Sequence, residues 1–490
     1  MIEQELVDSV GVSVRATGDP RAQFHGFSMP GTRTDPERYF VVLDDSWPYH
    51  QRTKALQNSW SPQKLADYIE TRSLNRILVP AAMGEAPFGP QRDYLYAEGT
   101  YEFIQAAGLA GRRRAAEAGK PIAAVTGSAG KSTFKAMLQA AYQACCPRHQ
   151  VLSPPTHFNT YIRVLSELTR AADHDLTLLE LSAGGRGAFF REAIPNGTPI
   201  SPEVAVITNI SHAHTKVMKH LSGVVKQKSE ILKSPPPGGT AVINHDTLRS
   251  RDLQDRALAE GWNLLTYGQH DDAAYRLLDY NPAESTVQAQ TPAGTLRYRI
   301  GAHGHHMAGN SLAVLAALHA LGVQDTEPAF AAFESFQALP GRGETAAVDH
   351  PAGGQVHLID ETYNANPSSM TAALQSLAAR QAGAGRQRRI AVLGDMHMLG
   401  QYELKLHRRI IESLSDYGLD RIYLCGELMG QAYEQTGPQK NITHLPDTAA
   451  LTRQLNDDLR GGDTVMLKAS NSMNLDEVLT QLVTQWHQNR

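Results

Sequence analysis

Cysteine is scarce, with three in 490 residues. That is too few for a disulfide framework, and the adjacent Cys145 and Cys146 lack the spacing of zinc ligands. Long apolar runs are missing as well. No stretch approaches the roughly 18 residues of a membrane-spanning helix. The opening Met1-Ile2-Glu3-Gln4-Glu5 is acidic and has no signal-peptide core, so a cytoplasmic location is expected. Neither sign of charge dominates: 46 Lys and Arg against 50 Asp and Glu leave a net charge of −4. This gives no electrostatic reason to expect a nucleic-acid or membrane partner. The densest basic run, Arg112-Arg113-Arg114, reads as a solvated helix face. Internal repeats and low-complexity tracts are absent. What remains is a globular composition, 41% apolar and 20% charged, long enough for about three domains with cores of their own.

The most informative stretch is Thr126-Gly127-Ser128-Ala129-Gly130-Lys131-Ser132-Thr133, which follows the apolar run Ile122 to Val125. An amphipathic segment with Met137, Leu138, Ala141, Tyr142 and Cys145 on one side comes next, giving strand, turn and helix. Glycines let the backbone approach an anion, and the N–H groups opening the helix point at it. Lys131 is placed to neutralise outer phosphate charge, and the Ser132 hydroxyl to ligate Mg²⁺. Gly127 and Gly130 enclose two residues where the common phosphate loop encloses four, so this is a short variant. The competing reading is a Gly/Ser turn before an ordinary surface helix.

The rest of the chain alternates strands with helices, which predicts an α/β protein. Residues 1–118 read as a small α/β domain, ended by the helical pattern Tyr101 to Ala118 and by Gly119-Lys120-Pro121. Residues 119–338 read as a phosphate-loop domain on a mostly parallel sheet, with strands at Thr177–Leu181, Val204–Thr208 and Thr240–Ile243. Ligands bind beyond the carboxyl ends of such strands, where Glu180, Asn209 and His214 fall. Val224 to Leu232 reads as a helix with its lysines outward, so Lys228 alone would be a surface lysine. His303, His305 and His306 have no acidic or thiol partner nearby in sequence and read as a polar loop beside a helix N-terminus. Residues 339–490 read as a second, Rossmann-like doubly wound domain, with strands at Val356–Asp360, Arg389–Gly394, Arg421–Leu424 and Thr464–Lys468.

Taken together these segments resemble the Mur ligases, the ATP-dependent amide-forming enzymes of bacterial cell-wall synthesis. The markers are the Thr126 to Thr133 loop, Ile207-Thr208-Asn209-Ile210 with Ala213-His214, Lys228-Ser229-Glu230-Ile231, Gly341-Arg342-Gly343, Tyr363-Asn364-Ala365-Asn366-Pro367 and Val392-Leu393-Gly394-Asp395-Met396. The last two point to the branch that adds D-alanyl-D-alanine. The resemblance implies ATP held by Gly127, Ser128, Ala129, Gly130, Lys131, Ser132 and Thr133, with Asn310 on the adenine and Arg342 with Asp360 or Glu361 on the phosphate and ribose end. It implies two Mg²⁺ sites, one on Ser132 and Glu180 and one on His214 and Lys228, the lysine carbamylated by CO₂. A carbamate offers the hard oxygen ligands Mg²⁺ prefers, where an ammonium would repel it. Lys131, Glu180, His214 and Lys228 would then stabilise phosphoryl transfer from ATP to a carboxylate. The resulting acyl phosphate would be attacked by an amine, releasing ADP and phosphate.

The departures from the family cluster where substrates would bind. The stretch from Phe27-Ser28-Met29-Pro30-Gly31 to Asp44 lacks the family's Asp-Ser-Arg and Asp-Gly-His segments, and Asn159-Thr160-Tyr161-Ile162-Arg163-Val164 shortens an asparagine-rich run. Met398 takes the place of a glutamate, Lys468-Ala469-Ser470-Asn471 that of Lys-Gly-Ser-Arg, Asp360-Glu361 that of Asp-Asp, and Met307 that of an asparagine. The expectation is therefore a ligase with an altered acceptor, a UDP-sugar peptide being one carboxylate to test. The alternatives are the housekeeping ligase of peptidoglycan synthesis, a catalytically silent nucleotide-binding scaffold, and a folylpolyglutamate-synthase type, which would not explain Tyr363 to Pro367. The acyl donor, the amine, the pathway and the oligomeric state are not legible in the residues.

Overall fold

The computed structural model describes residues 4, 8, 10, 12–19, 21–22, 24–25, 27–28, 37–43, 62–155, 159–183, 190, 200–380, 388–437 and 439–488. Met29-Pro30-Gly31 and Asp44, named above as departures from the family, lie outside the described residues. The fold is α/β, with three mixed sheets of five, nine and six strands. The chain divides into two compact units, one within Met1–Ala123, Arg148–Ser182 and Arg186–Ile200, the other within Ala124–Pro147, Ala183–Gly185 and Ser201–Arg490.

In the first unit, β1 (Val14–Ala16), β2 (Phe27–Ser28), β3 (Tyr39–Val41), β4 (Arg76–Pro80) and β5 (Asp93–Ala97) form a sheet of order β1-β5-β4-β3-β2. Its core includes Phe40, Ile77, Val79, Tyr94 and Tyr96. Helix α1 (Thr100–Glu117) carries the arginine run, but not as a solvated face. Arg112 is buried and its Nε donates to the Ile200 carbonyl at 2.7 Å, leaving Arg113 as the exposed member. An apolar stem with one satisfied polar head packs readily. Two further strands, β7 (Val151–Leu152) and β8 (Leu176–Glu180), pair in parallel.

The second unit begins in β6 (Ile122–Thr126), all five residues of which are buried, as a strand covered on both faces should be. The sheet runs β14-β13-β12-β11-β10-β9-β6 through β9 (Val204–Ile207), β10 (Thr240–Asn244), β11 (Asn263–Gly268), β12 (Tyr275–Asn281), β13 (Thr286–Thr291) and β14 (Gly294–Arg299). Pairings from β9 to β12 are parallel and the last two antiparallel. Helix α2 (Lys131–Cys145) buries Met137, Leu138, Ala141 and Tyr142 as its spacing predicts, with Phe134 beside them, while Cys145 is only half-buried. Helix α3 (Leu221–Lys228) overturns one expectation: Lys226 is exposed, whereas Lys228 is buried, 2% exposed. Helix α4 (His305–Ala320) starts two residues after His303, so His305 and His306 lie in its first turn.

The third sheet has the order β15-β16-β20-β17-β18-β19, with β15 (Glu344–Asp349), β16 (Gln355–Asp360), β17 (Arg389–Gly394), β18 (Arg421–Cys425), β19 (Ile442–Leu445) and β20 (Thr464–Lys468). Only β15 is antiparallel to its neighbour. Along β17 the alternation divides two cores: Ala391 and Leu393 face one, Ile390 and Val392 the other. The chain passes from β16 to β17, moves outward to β19, and returns as β20 between the first two. That reversal opens a crevice beyond the carboxyl ends of β17 and β20. Helices α5 (Pro367–Ala378), α6 (Glu403–Glu412) and α7 (Glu427–Thr436) pack into the core that Ala391 and Leu393 face. Among the described residues no helix is long and apolar enough to cross a membrane.

Candidate active site

The turn between β6 and α2 is pinned from beneath by the end of β9. Thr208 Oγ1 donates to the Ala129 carbonyl at 2.6 Å, and the Ser128 N–H donates to the Asn209 carbonyl at 2.7 Å. A Cβ on Gly127 would stand 2.0 Å from Thr208 Oγ1, so no side chain fits there. Gly130 has φ +81°, the left-handed region that favours glycine, and its place just before α2 turns the first N–H groups of that helix outward. Ser132 and Thr133 are buried in the first turn of α2. Such a loop fits phosphate by its chemistry: helix-opening amides with cationic side chains beside them.

Two ammonium groups converge on one carbonyl oxygen. Lys131 Nζ donates to Gly127 O at 3.0 Å and Lys228 Nζ donates to the same atom at 2.7 Å. His214, which begins the turn after β9 with φ +56°, feels both. Burial first, then the charges of Lys228 and Lys131, lower its pKa to about 4, so the imidazole is neutral at neutral pH with a lone pair to give. The structure thus brings Lys131, Lys228, His214 and the Gly127–Thr133 turn together. Glu180 ends β8 in the first unit, buried, with Asn159 Nδ2 donating to it at 3.0 Å.

Asn310, in α4, is buried and its Oδ1 lies 3.4 Å from the Cβ position of Gly130, against the Gly127–Thr133 turn. Arg342 sits between Gly341 (φ +71°) and Gly343 (φ +100°), and its guanidinium stacks 3.8 Å from the ring centre of Tyr363. Asp360 Oδ1 accepts from Thr362 N–H at 2.9 Å and from its hydroxyl at 2.6 Å. Glu361 is engaged differently: its Oε2 accepts from the buried Lys468 Nζ at 2.9 Å. Lys468 also donates to Asn364 O at 3.0 Å, so the longer acid is committed to a lysine from β20.

Reading residues one at a time missed a polar clasp across the phosphate turn. Asn366 caps α5 with its side-chain oxygen accepting from Ser369 N–H, and Ser369 returns the bond as a capping box. The same amide donates through Nδ2 to the Ser128 carbonyl at 3.1 Å. Ser211 donates to Asn366 Oδ1 at 3.3 Å, and Ser368 donates to Asn209 Oδ1 at 3.2 Å. A second clasp lies beside His214: Lys216 N–H donates to Met398 O at 3.0 Å and the Thr215 hydroxyl to Leu399 O at 2.9 Å. Tyr402 completes it, its ring centre 4.9 Å from that of His212 with the two planes tilted by 55°, and hydrogen-bonded to His220 Nδ1 at 2.8 Å. Asn-Pro followed by Ser-Ser signals a helix start in sequence; that the cap also reaches residue 128 does not show there.

Two family models match this chain, the Mur ligase middle domain over residues 125–318 and the Mur ligase glutamate ligase domain over residues 341–471. The UDP-N-acetylmuramoyl-tripeptide–D-alanyl-D-alanine ligase of Synechocystis is 29% identical over 376 residues, 74% of this chain and 75% of that protein. Its Escherichia coli counterpart is 28% identical over 365 residues, 74% and 76% of the two chains. Among solved structures, MurF from Acinetobacter baumannii superposes with a TM-score of 0.76 at 21% identity, covering 99% of this chain and 98% of that one. MurF ligase from Thermotoga maritima, solved in complex with ADP, gives 0.71 at 21% identity over 92% and 96%. These structures speak for the fold, and the two domain models for the family. The chain belongs to the Mur ligase family of ATP-dependent acid–amino acid ligases.

Proposed function

We propose that the protein activates a carboxylate with ATP as an acyl phosphate and joins it to an amine other than D-alanyl-D-alanine. The observation that carries the ATP half is the meeting of Lys131, Lys228 and neutral His214 at the Gly127 turn. The loop amides and Lys131 would bind and orient the transferring phosphate, and Arg342 with Asp360 would hold the far end of the nucleotide, Glu361 being tied to Lys468. A divalent cation would be held by Ser132 and Glu180 and a second by His214 and Lys228, supplying charge stabilisation at the phosphoryl oxygens. The Asn366 and Met398–Tyr402 clasps would keep water from the activated acid. On this reading residues 1–118 seat the carboxylate substrate, 119–338 the nucleotide and 339–490 the amine, in the cytoplasm.

We further propose carbamylation of Lys228. Its Nζ shares one carbonyl oxygen with a second ammonium, and turning it into a carbamate removes that repulsion while keeping one N–H for Gly127 O. A carbamate resonance from ¹³C-bicarbonate, absent in Lys228→Ala, is expected; a spectrum without it refutes the modification.

The altered acceptor rests on Met398 and Asn471, which put an apolar and a neutral side chain where the family has a glutamate and an arginine. Purified protein with ATP, Mg²⁺ and UDP-N-acetylmuramoyl-tripeptide is the test, offered D-alanyl-D-alanine beside a panel of other amino acids and dipeptides, with products identified by mass. Brisk UDP-pentapeptide formation would establish the housekeeping reaction instead.

A further inference from the structure

The crevice where the third sheet reverses contains a histidine that the assignments above leave unused. Strands β17 and β20 run side by side, with Leu393 opposite Lys468, and the loops that follow them are tied together. Ser470 N–H donates to Asp395 O at 3.0 Å, and His397 N–H donates to Ser470 Oγ at 2.7 Å. The His397 ring sits between two polar groups, Nδ1 at 2.7 Å from Ser472 Oγ and Nε2 at 3.8 Å from Asp395 Oδ2. Asp395 is itself buried and fixed, accepting from Met429 N–H at 2.8 Å and Leu428 N–H at 3.2 Å at the start of α7. His397 is about one-third exposed, so a ring held by Ser472 still meets solvent. The next two residues, Met398 and Leu399, lend their carbonyls to Lys216 and Thr215, immediately past His214. The imidazole therefore stands where the loop after β17 meets the nucleotide-binding segment.

We infer that His397 is the general base that deprotonates the attacking amine, with Asp395 and Ser472 as its positioning residues. This rests on the ligase reading above. An aliphatic amine arrives as an ammonium at neutral pH and has no lone pair to offer. With Nδ1–H donated to Ser472 Oγ, the Nε2 lone pair takes one ammonium proton. The freed amine nitrogen forms the bond to the acyl carbon as the carbon–oxygen bond to phosphate breaks, and phosphate leaves with that electron pair. The imidazolium left behind faces the Asp395 carboxylate, which stabilises it. The neighbouring titratable groups are otherwise engaged. His407, from α6, accepts the Met396 N–H at Nε2 (2.8 Å) and gives its Nδ1 proton to Glu403 O, and Lys468 is held by Glu361. Ser470 and Ser472, which face the ring from the loop after β20, carry no charge.

Hydroxylamine separates the steps because it is uncharged at neutral pH and captures an acyl phosphate without a base. Wild-type protein, His397→Gln and His397→Ala would be given ATP, Mg²⁺ and UDP-N-acetylmuramoyl-tripeptide, with either hydroxylamine or the panel of amino acids and dipeptides. Both variants should form hydroxamate within about threefold of wild type while amide formation falls by about 10²-fold or more. Added imidazole should restore part of the amide rate in His397→Ala, and raising the pH until the amine is itself unprotonated should recover amide formation in both variants. Equal loss of hydroxamate and amide would assign His397 a structural role, and unchanged amide formation would remove it from the reaction. If wild-type protein yields neither hydroxamate nor ADP, the ligase reading falls and the base with it.

Discussion

At the Gly127–Thr133 turn the proposed nucleotide binding comes down to single residues. Lys131→Ala removes a cation that no neighbour replaces in kind, since Lys228 arrives from another helix and meets the same carbonyl from its own direction. ADP release should fall by roughly 10²–10³-fold or more with little change in melting temperature, and a variant that kept its rate would deny the turn its role. The local geometry was legible in the chain: Gly127, Gly130 and Lys131 between an apolar run and a helical pattern predict the strand, turn and helix that the structure has. Lys228 was not legible in that way. Helical periodicity places a lysine outward by default, and its burial depends on a carbonyl 101 residues away in sequence. Arg112 misleads for the same reason, its partner being the carbonyl of Ile200.

The elements are sited by their ends. Helix α5 begins with a cap that serves two purposes, satisfying its own N-terminus and reaching Ser128. Asn366→Asp separates these, because a carboxylate still accepts from Ser369 N–H but cannot donate to a carbonyl. We expect a melting temperature close to wild type and a kcat/KM for ATP about tenfold lower; a variant with unimpaired kinetics would reduce the clasp to packing. Strand positions read well from sequence, since Val204–Ile207 and, within Arg389–Gly394, the run from Ile390 to Leu393 are apolar and buried on both faces. What neighbours what across the turns did not, because hydrogen bonds from Thr208 to Ala129 or from Lys216 to Met398 leave no periodic trace.

For the whole molecule, buried histidines set the acid limit of stability. Burial lowers the pKa of His407, and its Nε2 accepts a backbone N–H, so the folded protein keeps it neutral. The unfolded chain takes up that proton near pH 6.5. Its contribution is therefore intact above about pH 6.5 and is lost as the pH falls below it, by at most about 1.4 kcal/mol per pH unit until the folded group titrates too. His214 and His306 shift in the same direction, so the slopes add. Urea unfolding from pH 7.5 to 5 should show stability falling with pH, less steeply in His407→Leu; a flat profile would contradict this.

The carbonyls of Met398 and Leu399 grip the residues just past His214. On the proposed ligase reading, spent nucleotide would leave once the loop after β17 lifts, and turnover is expected to be paced by that opening rather than by bond making. Raising solvent viscosity with sucrose should then slow kcat nearly in proportion. Thr215→Val, which cannot donate to Leu399, should weaken that dependence, and a kcat indifferent to viscosity would return the slow step to chemistry.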